Sequence, residues 1–181
     1  EELLKERTGN LTLTNINGLC RIALDKLKKT YEQDIQEKNI RIVFDNLTLS
    51  LMMEVNVEQF SKVLAGILKN SMYALLKKSE TVTFSPEIFL GLKVNKDMLE
   101  ITIRDNGSGI DENIKDKIFA PFFTTKTTGE AAGVGLYLCR EIVQNHRGTI
   151  EVESKKGEYT QFLITIPVYQ PKTITPPKEE E

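Results

Sequence analysis

The stretch Arg104-Asp105-Asn106-Gly107-Ser108-Gly109-Ile110 decides the reading of this chain. An acidic residue closes a strand, and glycines follow at alternate positions. Such a turn exposes backbone amides beside one carboxylate held at the strand's end. The carboxylate can accept a hydrogen bond from a base amine, and the glycines let the backbone pass close to a ligand. Alone, the pattern is weak, because Asn-Gly and Ser-Gly pairs mark ordinary turns. Its neighbours decide between the two readings.

Immediately upstream, Ile88, Leu90, Leu92 and Val94 alternate, Asn95-Lys96-Asp97 turns, and Leu99, Ile101 and Ile103 alternate again. That is a hairpin running into the turn. Before it, Asn56 and Gln59 have the spacing of a capping box, opening a helix with Val57, Phe60, Val63, Leu64, Ile67, Leu68 and Leu75 on one side. Farther upstream, residues 15–31 carry a helical apolar stripe, and strands are expected over 40–44 and 51–55. Downstream come a short helix over 112–118, a loop over 120–132, a helix from about Gly133 to Asn145, and strands over 149–154 and 160–166. Helices gathered on one face of a mixed sheet give an α+β, two-layer sandwich. The order does not alternate strand and helix as a Rossmann domain would.

With 181 residues, 40% of them hydrophobic, the chain can build one domain with appendages. Its net charge of -2 supplies no field that recruits nucleic acid or an acidic membrane surface. No apolar run reaches the roughly 18 residues of a membrane helix. The charged start, Glu1 to Arg7, is unlike a signal peptide and reads as a cut through a longer protein. Cys20 and Cys139 are far apart, fit no metal spacing, and are expected as reduced, buried thiols. The stretch from Tyr169 on is Pro-rich and ends in glutamates, as a disordered tail or linker would.

Three further features flank the Asp105 turn. Asn70 sits beside the apolar stripe of its helix; it is either a core amide satisfied by a carbonyl or an oxygen ligand to Mg²⁺. Ile118-Phe119-Ala120-Pro121-Phe122-Phe123-Thr124-Thr125-Lys126 either anchors a loop or begins a mobile flap. Gly133-Val134-Gly135-Leu136 opens a helix, where glycines serve close packing or free the amides for an anion.

Taken together and in this order, these features resemble the catalytic, ATP-binding domain of sensor histidine kinases in the GHKL superfamily. The likeness runs from about Asn15 to Val168 and is nearest the nitrogen-regulation type. It implies a Bergerat-type ATP-binding fold and γ-phosphoryl transfer from ATP to a histidine. By the resemblance, Asn70 coordinates Mg²⁺ and Asp105 accepts the adenine amine, with Gly107 and Gly109 letting the backbone approach the base. Gly133, Val134 and Gly135 hold phosphates, Lys126 reaches the terminal phosphate, Ile110 and Leu136 wall the base, and Thr160 supports the acid. Tyr73 stands where a basic residue often meets phosphate.

The resemblance also implies what lies around the domain. Residues 1–13 would end a dimerisation and phosphoacceptor helix, 14–168 would be the ATP-binding domain, and 169–181 a tail. The acceptor histidine would lie on the dimerisation domain, mostly outside this chain, with a response regulator downstream. A cytoplasmic location is expected, with no nucleic acid and no direct membrane contact, although the parent protein could be anchored. His146, the only histidine, is read as structural at a helix end that favours a cation. Relatives that hydrolyse ATP place a glutamate one turn before the metal asparagine; here that position is Gly66. Ala131 and Tyr159 depart from the family's glycines, so a degenerate nucleotide-binding or interaction module is the alternative.

Overall fold

The computed structural model describes residues 9–121, 123 and 135–168. Strand β1 (Thr12–Asn15) leads into helix α1 (Ile16–Thr30), the short α2 (Glu32–Lys38), β2 (Arg41–Asp45) and β3 (Met52–Val55). The long α3 (Val57–Ser79), the hairpin β4 (Glu87–Asn95) and β5 (Met98–Asp105), and the single turn α4 (Glu112–Lys115) follow. Helix α5 (Leu136–Asn145) and the hairpin β6 (Thr149–Lys155) and β7 (Tyr159–Pro167) complete the described chain.

Parity builds the sheet. Leu99, Ile101, Ile103 and Asp105 of β5 are buried at alternate positions, as are Thr160, Phe162, Ile164 and Ile166 of β7. These strands pair antiparallel, so the inward residues of one lie opposite those of the other, Asp105 against Thr160. The five strands run in the order β2-β4-β5-β7-β6, with only the β2–β4 pair parallel. A separate antiparallel ribbon joins β1 to β3. Lys96 turns the β4–β5 hairpin with φ 56°.

Helix α3 lies against the inward face, because its apolar residues recur at helical spacing. Phe60, Leu64, Ile67, Leu68, Met72 and Leu75 are fully buried against Ile88, Leu90, Leu99, Ile101 and Ile103. Each such side chain contributes about 1.5–3 kcal/mol of transfer free energy. Asn56 caps α3, accepting from the Gln59 N–H at 2.9 Å, which is one half of the expected capping box. The other half is absent among the described residues, because the Asn56 N–H donates to His146 Nε2 and Gln59 Oε1 has no hydrogen-bond partner. Helices α1 and α5 pack on either side of α3, making the second layer of the α+β sandwich.

The structure adds two elements. Helix α2 buries nothing, so it leaves no periodic apolar signal; Asn39 ends it in the left-handed region at φ 51°. Strand β1 is four residues long, and its register sets Thr12 against Val55 and Leu13 against Glu54. Strand structure is thus present from Thr12 on. Cys20 and Cys139 are free and buried, and burial pushes each thiol up to about 12. Among the described residues, no helix is long and apolar enough to cross a membrane.

Candidate nucleotide site

Strand parity puts Asp105 on the core face at the very end of β5, where it is 2% exposed. The chain then turns back on itself, and the Gly107 N–H donates to Asp105 Oδ1 at 2.9 Å. Asn106 fastens the turn to β4: its Oδ1 accepts from the Glu87 N–H at 2.7 Å and its Nδ2 donates to the Ser85 carbonyl at 2.8 Å. Lys78 donates to the Asn106 carbonyl at 2.9 Å while lying 4.4 Å from the Phe84 ring centre.

Two other elements clamp the same turn. On the helix side, the Ser108 N–H donates to the Ala74 carbonyl at 3.1 Å, and a Cβ at Gly107 would stand 2.6 Å from the Ala74 carbonyl carbon. On the hairpin side, the Gly157 N–H donates to the Ser108 carbonyl at 2.6 Å. Gly109 has φ +65°, and a Cβ there would collide with the Lys155 carbonyl oxygen. Each glycine thus has a packing reason of its own: neighbouring backbone, rather than a base, occupies the space a side chain would take.

Beneath the turn, the Ile110 N–H donates to Ser154 Oγ at 2.8 Å, and Ser154 Oγ donates to the Tyr159 carbonyl at 2.7 Å. Ser154 Oγ also lies 3.0 Å from Thr160 Oγ1. Thr160 lies opposite Asp105 in the strand pair. Ile110 is half-buried against the core.

Burial pushes the Asp105 carboxyl up to about 7. The Gly107 N–H, the Ser71 hydroxyl and the charges of Lys78 and Arg104 pull it back toward the charged form. Ser71 is 1% exposed, and its Oγ faces this carboxyl without completing a well-formed hydrogen bond. Sequence reasoning missed Ser71, Lys78, Asn106 and Ser154. Two of them carried a legible signal: Ser71 occupies a stripe position on α3, and Ser154 continues the inward parity of Ile150 and Val152.

Asn70 and Tyr73 are half-buried on α3, three positions apart and so on one side of the helix. Among the described residues, no three His, Cys, Asp or Glu side chains gather as a metal cage. A single amide oxygen suits Mg²⁺, which takes one or two protein oxygens and completes its shell with phosphates and water. Gly135 is the exposed N-cap of α5, and among the described residues no side chain caps that helix. Its first-turn amides are the kind that bind anions. Leu136 packs against the core. Phe119 stands edge-on to Phe162 at 6.3 Å, and Phe123 also packs against the core. Lys126, Ala131, Gly133 and Val134 lie outside the described residues.

The His146 reading changes in one respect. Its ring accepts the Asn56 N–H at Nε2 and stands with Nδ1 2.7 Å from the Ile142 carbonyl. Burial lowers its pKa, so the helix end holds a neutral imidazole rather than the cation expected there. An apolar cleft between α1 and α3, lined by Ile22, Leu27, Tyr31, Ala65 and Leu68, shares no residue with the Asp105 turn. Lys26, Thr30, Ser61 and Lys69 complete its lining.

The family model described as histidine kinase-, DNA gyrase B- and HSP90-like ATPase matches residues 56–170. The cyanobacterial phytochrome A of Nostoc sp. is 35% identical over 149 residues, covering 81% of this chain and 18% of that protein. The sensor histidine kinase ZraS of Escherichia coli is 28% identical over 167 residues, 92% of this chain and 33% of its own length. The nucleotide-free catalytic domain of histidine kinase ThkA superposes with a TM-score of 0.70 at 28% identity, covering 87% of this chain and 95% of that one. The chain thus spans a third or less of the two relatives, 33% and 18%, but nearly all of a catalytic domain.

Proposed function

The chain belongs to the histidine kinase-, DNA gyrase B- and HSP90-like ATPase family, and on that premise we propose that it is the ATP-binding catalytic domain of a sensor histidine kinase. It transfers the γ-phosphoryl group of ATP to a histidine on a dimerisation domain mostly outside this chain. The observation that carries this reading is Asp105: a buried carboxyl ends an inward-facing strand, set in a turn braced from both sides. Such a group accepts the 6-amino group of adenine and is mismatched to the carbonyl that guanine presents there. Thr160 and Ser154 hold the floor, and Ile110 and Leu136 wall the base. Residues 1–13 as the end of the acceptor domain, 169–181 as a tail, and the nitrogen-regulation subtype are parts of the same proposal.

Asn70 would hold the metal, with Tyr73 beside it, while Lys126 and the amides around Gly133, Val134 and Gly135 take phosphate oxygens. Bound Mg²⁺ would neutralise charge on the transferring group. Transfer is favoured over hydrolysis because Gly66, buried one turn before Asn70, offers no base to activate water. His146 is not the acceptor in this scheme. It is 8% exposed, and both its nitrogens are engaged. An acceptor imidazole therefore comes from elsewhere, and being neutral it is already nucleophilic. ThkA has been seen in complex with the response regulator TrrA; a response regulator is the proposed partner downstream of this chain, and a cytoplasmic site follows from that role.

Titration with a fluorescent ATP analogue, with and without Mg²⁺, tests the reading. Asp105→Asn abolishes binding and Asn70→Ala removes the Mg²⁺ dependence. Adding the histidine-bearing segment of the parent protein yields an acid-labile, base-stable phosphoprotein. Absence of nucleotide binding by the unaltered chain sinks the proposal; binding without phosphohistidine supports a degenerate module instead.

A further inference from the structure

Ser71 occupies an α3 position that the surrounding helix reserves for apolar side chains, three residues after Leu68 and four after Ile67. It is 1% exposed, and its hydroxyl completes no well-formed hydrogen bond, although it lies close enough to the Asp105 carboxyl to act on it. A buried hydroxyl left unpaired destabilises the fold, and such groups are rare in folded proteins. This one faces the Asp105 carboxyl and favours its charged form. Gly107 N–H already takes Oδ1 of that carboxyl. A carboxylate offers about four acceptor sites, so room remains for a second donor from the protein and one from a ligand.

We propose that Ser71 is a positioning residue of the adenine-reading site, its hydroxyl closing onto the Asp105 carboxylate when a base amine occupies the carboxylate's free side. This rests on the nucleotide-binding reading given above. The hydroxyl and the Gly107 N–H approach from α3 and from the turn, and between them they fix the plane of the carboxyl. The charged groups that face Asp105 are Lys78 on α3 and Arg104 on β5. Its strand partners, Ile88 on β4 and Thr160 on β7, carry no ionisable group. Among the described residues, Ser71 is therefore the one uncharged side chain that steadies the ionised acid from the helix layer. Without it, burial dominates and the acid holds its proton to higher pH, where it presents the wrong polarity to an amine.

The test is ADP binding to the full chain from pH 5.5 to 8.5, for the unaltered protein, Ser71→Ala and Ser71→Cys. Affinity of the unaltered protein rises with pH as the acid ionises. Ser71→Ala weakens ADP about tenfold at pH 7 and moves the midpoint of the pH profile up by about one unit. Ser71→Cys, which keeps the shape and only a weak donor, falls between, and it keeps the test open should the alanine variant fold poorly. Thermal denaturation without nucleotide shows Ser71→Ala at least as stable as the unaltered chain, since it loses only an unpaired hydroxyl. An unshifted midpoint, with or without weaker binding, overturns the inference. Absence of ADP binding by the unaltered chain overturns the inference and the proposed function together.

Discussion

The backbone N–H of Asn56, at the start of α3, donates to Nε2 of His146, at the end of α5, across 3.0 Å. A nitrogen that accepts cannot carry a proton, so Nδ1 holds the hydrogen and donates to the Ile142 carbonyl at 2.7 Å. The ring also stands edge-on to Phe60, 5.6 Å between centres. One neutral tautomer therefore joins two helices, one bearing Asn70 and Ser71 and the other beginning at the proposed phosphate end of the site.

This latch is pH-dependent with a definite sign. Burial lowers the His146 pKa below its ordinary 6.5, the Ile142 carbonyl opposing only in part. As pH falls through 6.5 the unfolded chain takes up a proton before the folded one does. The stability that His146 contributes is thus present above 6.5 and is lost as pH falls through the lower folded value. Urea denaturation of His146→Phe, which keeps a ring but no acceptor, is expected to show about 1–3 kcal/mol lost at pH 7.5. The gap to the unaltered protein narrows at pH 5.5; a gap that stays constant would rule out titration of this ring.

Asp105 works in the opposite direction. Its folded pKa, about 7, lies above the ordinary 3.8, so the native state binds this proton more tightly. Its contribution is full below 3.8 and is lost as pH rises through about 7. Asp105→Asn cannot ionise and escapes that loss. In the absence of nucleotide, the variant is expected to gain on the unaltered chain as pH rises from 3.8 to about 7, read by urea denaturation, while it binds no nucleotide. A carboxyl that is an adenine reader first and a structural element second predicts this pairing of gained stability with lost binding.

Much of this is legible in the sequence. Alternation in 88–94 and 99–103 placed the hairpin, and counting on by two put Asp105 on its buried face. Asn56 and Gln59 located the start of α3. What stayed hidden was tertiary. Helix α2 has a single apolar residue, Ile35, and so no stripe to read. The tightness of Gly107 and Gly109 arises from Ala74 and Lys155, distant in sequence, and no local pattern separates a glycine needed for a ligand from one needed for a neighbour. The neutral state of His146 depends on an amide 90 residues away.

The glycines of the turn can be distinguished by experiment. At Gly109 an alanine must both adopt φ +65° and clear the Lys155 carbonyl, which is backbone and has little freedom to move. The expected cost is at least about 2 kcal/mol by chemical denaturation. Nucleotide saturation will only partly restore the melting temperature, because the strain is in the folded chain itself. A Gly109→Ala protein as stable as the parent would mean that the β6–β7 turn does not pack on the Asp105 loop in solution.

Gly135 provides the contrasting case. Its φ is -61°, and a Cβ placed there meets nothing within 4 Å among the described residues. Alanine at this N-cap should cost the fold less than about 1 kcal/mol, since glycine is itself only a moderate cap. If the α5 amides hold phosphate, however, a methyl group at the helix mouth intrudes on the anion's approach. Gly135→Ala is then expected to bind adenosine as the parent does while losing affinity for ATP, measured side by side by calorimetry. Equal losses for both ligands would move the phosphates away from α5, and no loss for either would leave this glycine without a functional reason.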